Sequence, residues 1–384
     1  MSKTVPTGNR VSWDRNERLA MVGGMKLRGA RQARGFSQQQ LADMAGVSRQ
    51  AVSAIESGNS DPSLRLALAL ARTLGMTVEE VFGPGDPPAE VKTHPLDSLG
   101  GPGTRAALAP VGENLVALPL TGDTAIRAGF LPAGALAGDR PGEVRPIGPP
   151  RPTLLVAGCD PALPLLEAPL ALLDPPVAFA WWPCGSEQAL RLAAAGLVHA
   201  AGAHLRDERD GGYNTGQARR LLGGQGADVI GFTAWREGLA LAPRLAGVVS
   251  GVADLARLGV RVVNREPGSE ARLVLDRELL SLGLEPDALP GYDTSAGGHL
   301  QVTSAIAAGL AEAGVSAEPA ALAYGLPFVP LTRERFDLVV PHQVAESREV
   351  QSMLRVLTSP WLLTQLDSLP GYDASHCGEL VTTL

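Results

Sequence analysis

Cysteine is scarce. The 384 residues contain three, Cys159, Cys184 and Cys377, with no CxxC pair. An odd, widely spaced set specifies neither a disulfide framework nor a zinc knuckle. Aromatic residues make up only 4% of the chain. No apolar run approaches the roughly 18–20 residues that a membrane span needs. The opening stretch MSKTVPTGNRVSWDRNERLA has no apolar signal core. A soluble cytoplasmic protein with no membrane partner is therefore expected. Catalytic signatures are missing too: no GxSxG elbow, no HExxH, and no phosphate-loop or dinucleotide fingerprint. The six histidines are dispersed, and none has a sequence neighbour that makes a metal-ligand pair. The sequence names no metal, no cofactor and no catalytic residue, which favours a binding protein over an enzyme.

Hydrophobic residues are plentiful at 45%, with 45 Gly and 31 Pro. That mix suits Ala/Leu/Gly-rich α/β packing with many tight turns, in two or three domains at this length. The net charge of −7 is unevenly spread. Residues 1–82 hold eleven Lys/Arg against seven Asp/Glu, leaving 22 against 33 in the remainder. A basic head on an acidic body is the asymmetry expected when one end meets an anionic partner.

Composition divides the chain. Residues 1–24 read as a flexible leader, 25–82 as a helical domain and 83–103 as a Pro/Gly-rich linker. Residues 104–150 read as a small β-rich connecting segment. From Thr153 to Leu384 strand-like and helix-like stretches alternate, which argues for α/β layers. The stretch VIGFTAWREGLALAP reads as a strand pair, and SAIAAGLAEAG as a helix running into a junction at Gly314-Val315-Ser316.

The head carries a strong local signal. Ser37-Gln38-Gln39-Gln40 is a capping box. Leu41, Ala42 and Ala45 form an inner stripe, Gly46 permits a tight bend, and Ser48 caps the next helix. With Val52 and Ile55 turned inward, that helix exposes Arg49, Gln50 and Ser53. These side chains can bond base edges or phosphates from a major groove. The segments SQQQLA, VSRQAVSAIESG and PSL…ALARTLG…VEEVF resemble the Xre/Cro-type, phage-repressor-like DNA-binding domains over the whole of 25–82. The resemblance implies an all-α five-helix helix-turn-helix domain. By it, Gln38 touches the phosphate backbone, while Ser48, Arg49, Gln50 and Ser53 form the reading surface. It also implies a homodimer or higher homo-oligomer on double-stranded DNA carrying an inverted-repeat operator.

The body also resembles a known family. The segments VAGCDPAL, AGAHLRD…GGYN, REGLALAP, GVADLARLGVRVVNREPGSEAR and YGLPFVPLTRERFDLVVP are similar to the type 2 periplasmic-binding-protein-like domains, which include molybdate binders. That likeness implies two α/β lobes facing across a cleft. Lobe one would be 153–241 plus 328–384, and lobe two 242–327. Strand-to-helix junctions would line the cleft, where unpaired backbone N–H groups favour anions. The expected ligand-binding residues are Asp160, Ser186, His204, Tyr213, Asn214, Arg265, Gly268, Ser269 and Tyr292. Some have simpler readings: Asp160 and Ser269 as helix caps, Tyr292 as core packing. A small anionic effector is expected, either an oxyanion such as molybdate or tungstate or a small organic acid. The chain then reads as a one-component transcriptional regulator. An enzyme on the same fold with an autoregulatory head, or a dimerisation module with a vestigial cleft, are the alternatives.

Overall fold

The computed structural model describes residues 26–82, 89–122, 131–206 and 212–384. The expected leader, part of the expected linker and part of the loop after His204 lie outside these. The chain divides into two compact units, residues 1–89 and 90–384.

Among its described residues the first unit has five helices: α1 (26–33), α2 (Gln38–Ala45), α3 (Arg49–Glu56), α4 (Leu64–Leu74) and α5 (Val78–Phe82). Local chemistry fixes their ends. Ser37 Oγ accepts from the Gln40 N–H at 3.1 Å, and Gln40 Oε1 accepts from the Ser37 N–H at 2.8 Å. Both halves of the capping box thus satisfy otherwise orphaned donors at the start of α2. Gly46 ends α2 in the left-handed conformation, φ +66°, which a side chain would resist. Ser48 caps α3. Leu41 and Ala42 of α2 meet Val52 and Ile55 of α3 and Leu70 and Leu74 of α4 in one small core.

The second unit begins with strands inside the stretch expected to be a linker. β1 (Val91–Lys92) and β2 (His94–Pro95) precede β3 (Arg105–Val111), β4 (Asn114–Pro119), β5 (Ala135–Ala137) and β6 (Glu143–Pro146). The sheet order is β1-β6-β5-β3-β4-β2. Because β1 and β2 flank the single residue Thr93, this one extended segment pairs with β6 on one side and β4 on the other. It therefore closes a small barrel and leaves no free edge. Proline in this segment costs little, because only a few ladder bonds are needed there.

The rest of the unit is the α/β body. β7 (Thr153–Ala157), β8 (Ala178–Trp182) and β9 (Ala200–Ala203) run parallel, followed by α6 (Glu167–Ala171), α7 (Ser186–Ala194) and α8 (Thr215–Leu222) around them. Two long antiparallel strands, β10 (Ala227–Leu241) and β14 (Phe328–Pro341), pair from Ala227↔Pro341 to Ala240↔Phe328. Between them in sequence come α9 (Val252–Leu258), β11 (Asn264–Arg265), α10 (Glu270–Ser281), β12 (Ser295–Ala296), α11 (His299–Ala307), β13 (Ala313–Ala317) and α12 (Glu318–Ala323). α13 (His342–Ala345), α14 (Arg348–Leu357), α15 (Pro360–Asp367), β15 (Tyr372–Asp373) and β16 (Leu380–Thr383) complete the chain.

Two cores define two lobes. Val229, Phe232 and Trp235 of β10 join a core with Leu154, Leu190 and Met353, whereas Leu239 and Leu241 of the same strand join one with Leu255, Val262 and Leu275. The segment expected to be a strand pair is thus one continuous strand that passes from lobe to lobe. Its polar Arg236-Glu237-Gly238 looks like a turn in sequence but instead sits at the crossing, with a register shift between Glu237 and Gly238. Likewise Gly314-Val315-Ser316 lies within β13, not at a strand-to-helix junction. The helix there starts after Ala317, because backbone pairing with β10 holds the segment extended.

Candidate functional site

Side chains on one face of a strand recur every second residue. On β10 this puts Trp235, Glu237 and Leu239 on one face, with Glu237 between the two cores. Around Glu237 the body gathers polar residues from both lobes. His204 follows β9, and Cys159 follows β7. Ser186 opens α7, Glu334 lies on β14, Arg265 ends β11, and His299 opens α11. All are buried, and Glu237 is 0% exposed. The His204 and His299 ring centroids are 5.9 Å apart, and Trp235 lies 5.4 Å from the first and 6.0 Å from the second.

Buried polar atoms are almost always hydrogen-bonded. This chamber departs from that rule. Arg265 Nη1, His204 Nδ1, His299 Nε2, Trp235 Nε1 and both carboxyl oxygens of Glu237 and Glu334 have no hydrogen-bond partner among the described residues. Arg265 is 1% exposed yet half-used: its Nε and Nη2 each donate to Glu266 at 2.8 Å, while Nη1 is unengaged. The Ala317 N–H donates to His299 Nδ1 at 3.2 Å, which places the imidazole proton on Nε2 and makes that atom a waiting donor.

Burial dominates the electrostatics. It pushes Glu237 and Glu334 well above the usual carboxylate range; the Arg265 charge pulls Glu237 partly back, while Glu270 adds to the rise of both and Glu237 to that of Glu334. It also lowers His204 to about 3 and His299 well below its ordinary value, helped by the charge of Arg265. At neutral pH the chamber therefore holds one permanent cation, two neutral imidazoles and carboxylic acids instead of carboxylates. Such a set offers N–H and O–H donors to a guest. His204, Glu237 and Glu334, or Cys159, His204 and His299, bring ligand atoms within 4.8 Å of one another, as a metal ion would require. The Arg265 charge beside both sets opposes a cation there.

The expected site residues divide into two groups. Ser186, His204 and Arg265 meet in the chamber, where Ser186 Oγ accepts from the His204 N–H at 3.1 Å. The others have committed polar atoms. Asp160 accepts from the Ala162 N–H, Thr233 and Tyr372. Asn214 is buried, donating to Asp337 and accepting from the Leu205 N–H. Tyr213 donates to the Arg333 carbonyl, and Tyr292 donates to Asp276 while stacking under Arg272. Ser269 donates to the Glu266 carbonyl at 2.9 Å and caps α10. Gly268 supplies the left-handed residue of that turn, φ +85°. In the head, Ser48 just before α3 and Arg49, Gln50 and Ser53 on it are exposed, and the Gln38 amide donates to buried Glu56 at 2.9 Å.

Glu237, His299 and Glu334 did not stand out in the sequence. Each belongs to a separate segment, with no spacing that links it to the others. A cavity of about 420 Å³ opens between the lobes, lined by Arg206 and Arg220 on one side and Gly268, Glu270 and Arg277 on the other. A second, of about 440 Å³, is lined by Arg236, Glu318, Arg333 and Asp373, whose charges pair with one another.

Comparison with known proteins agrees with this architecture. Residues 27–81 match the helix-turn-helix family, and residues 168–358 match the PBP superfamily domain. The uncharacterized protein YvgK of Bacillus subtilis is 29% identical over 241 residues, 62% of this chain and 76% of its own. An uncharacterized HTH-type transcriptional regulator of Methanocaldococcus jannaschii is 44% identical over 57 residues, 15% of this chain and 86% of its own. Among solved structures, the tungstate ABC transporter from Geobacter sulfurreducens aligns with 55% of this chain and 96% of its own, at 14% identity and a TM-score of 0.42.

Proposed function

This chain belongs to the helix-turn-helix family and carries a C-terminal PBP-superfamily domain, and from that premise we propose that it is a one-component transcription regulator responsive to a small anion. The head binds operator DNA as a homodimer, with Arg49, Gln50 and Ser53 facing bases. The body binds and does not turn over its ligand. One observation carries the anion: the buried guanidinium of Arg265 keeps an unengaged N–H pointing among other unengaged donors. A buried cation with an unused donor is destabilising unless a guest completes it. Ser269 and Gly268 serve by shaping the Arg265 turn, and Ser186 by fixing the His204 loop. Closure of the lobes on the anion shifts the population between two states of the dimer and so re-spaces the recognition helices.

The test is a double dissociation in the full-length protein. Gln50→Ala is expected to lower sequence-specific DNA affinity by roughly 10–100-fold, the worth of a bidentate base contact, and to leave oxyanion affinity unchanged. Arg265→Ala is expected to abolish oxyanion binding and the ligand's effect on DNA binding, while operator affinity without ligand persists. Gel shifts and calorimetry with molybdate, tungstate and sulfate read both. If each substitution impairs both activities equally, the division of labour is wrong.

A further inference from the structure

The chamber contains two acids where an anion site would ordinarily hold none. Among the described residues, Glu237 has no cation bonded to it. The Arg265 donors nearest in kind are spent on Glu266. His299 Nδ1 lies 3.9 Å from Glu237 Oε1, but it is occupied by the Ala317 N–H and carries no proton. His204 Nδ1 is 4.0 Å from Oε2, beyond hydrogen-bond reach. An oxygen of Glu334 lies within 4.8 Å of a Glu237 oxygen, with no positive group among the described residues bonded to either. Two buried carboxyls this close cannot both ionise. The remaining charged groups bearing on the pair are Glu270, Arg277 and Arg206. Arg277 is itself bonded to Glu270 at 2.5 Å. The Cys159 thiol completes the surround, neutral because burial pushes it far up.

Resting on the reading of the cleft as an anion site, we propose that Glu237 enters the ligand complex as a neutral carboxylic acid that donates a hydrogen bond to the anion, so that ligand capture depends on a proton held by the protein. An anion beside an ionised Glu237 would meet a like charge in a low-dielectric space. Beside the acid form it meets a donor. Ligand release is then favoured by alkali, and Glu237 sets how affinity follows pH. The direction fits the raised titration of Glu237, near about 8. Below that value the acid is present and affinity is flat; above it affinity falls about tenfold per pH unit, the linkage of one proton.

Isothermal titration of the full-length protein with molybdate, and in parallel with sulfate, from pH 6.5 to 9.5 tests this. Wild type is expected to bind with constant affinity up to about pH 8 and to weaken about tenfold per unit above it. Glu237→Gln, which is permanently neutral, is expected to lose the alkaline fall, its affinity changing less than about twofold between pH 7 and pH 9.5. Should this variant not fold, wild type in two buffers of different ionisation heat is expected to take up close to one proton per anion bound above pH 8. Affinity that is independent of pH, or that rises with it, overturns the proposal while leaving the anion site standing. So does a folded Glu237→Gln that keeps the alkaline fall. Zinc binding that needs His204, Glu237 and Glu334 overturns it as well. No anion binding by wild type at any pH overturns the anion reading itself, and this proposal with it.

Discussion

The two units each bury a glutamate, and the two are treated oppositely. In the head, Glu56 accepts from Arg31 at 2.6 and 3.0 Å and from Gln38 at 2.9 Å. Burial works to raise its pKa, but these bonds outweigh that and hold it below its ordinary value. In the body, Glu237 is fully buried and accepts from no described residue, and burial raises it. A saturated buried charge is part of the scaffold. A buried acid whose oxygens have no partners destabilises the free protein and is kept where something else completes it. The same contrast runs through the sites. The exposed face of α3 needs no special burial to do its work, whereas the chamber exists only because two lobes close around it.

The largest test of this contrast is Glu56→Ala. Removing one partner of a buried ion pair leaves Arg31 uncompensated, and the head is expected to lose about 3–5 kcal/mol, read as a lowered thermal transition of residues 25–82 together with lost operator binding. The pH dependence has a definite sign. The folded pKa of Glu56 is depressed, so its contribution is full above about pH 4.3 and is lost as pH falls through the folded value. Glu56→Gln is therefore expected to be costly at pH 7 and nearly harmless in strong acid. Glu237→Gln is expected to behave in the opposite sense. The folded pKa of Glu237 is raised, so wild type loses stability as pH rises between about 4.3 and the folded value, by at most about 1.4 kcal/mol per unit. The ligand-free variant is expected to match wild type near pH 4 and to exceed it increasingly towards pH 8. Calorimetric melts of both variants across pH check the pair, and parallel pH profiles would break the comparison. The smallest effect belongs to the helix caps. Ser48→Ala and Ser269→Ala are each expected to cost about 1 kcal/mol, and Ser269→Ala is expected to change molybdate affinity less than twofold. A large loss of affinity would mean that Ser269 touches ligand.

Much of the head was legible because its determinants are local. Ser37 and Gln40 lie three residues apart, and Gly46 and Ser48 mark the corner between two short apolar stripes. In the body, the alternation of strands and helices and the turn at 265–269 were legible for the same reason. The long crossing strand was not. Arg236-Glu237-Gly238 has the polarity of a turn, and only pairing with β14 on one side and β13 on the other keeps it extended. The same holds for the segment 91–95, whose proline and low apolar content suggest a linker until both barrel edges claim it.

By itself the sequence determined a DNA-reading head, an acidic α/β body and an arginine at a strand end, because caps, periodicity and glycine turns act over a few residues. Only the tertiary structure decided that Glu237, His299 and Glu334 meet His204 and Arg265. Those side chains come from five separate elements, up to 130 residues apart, and each is unremarkable in its own segment. Their chemistry arises from shared burial: removing water raises the acids, neutralises the imidazoles and leaves donors without partners. No property of a residue's sequence neighbours sets that condition.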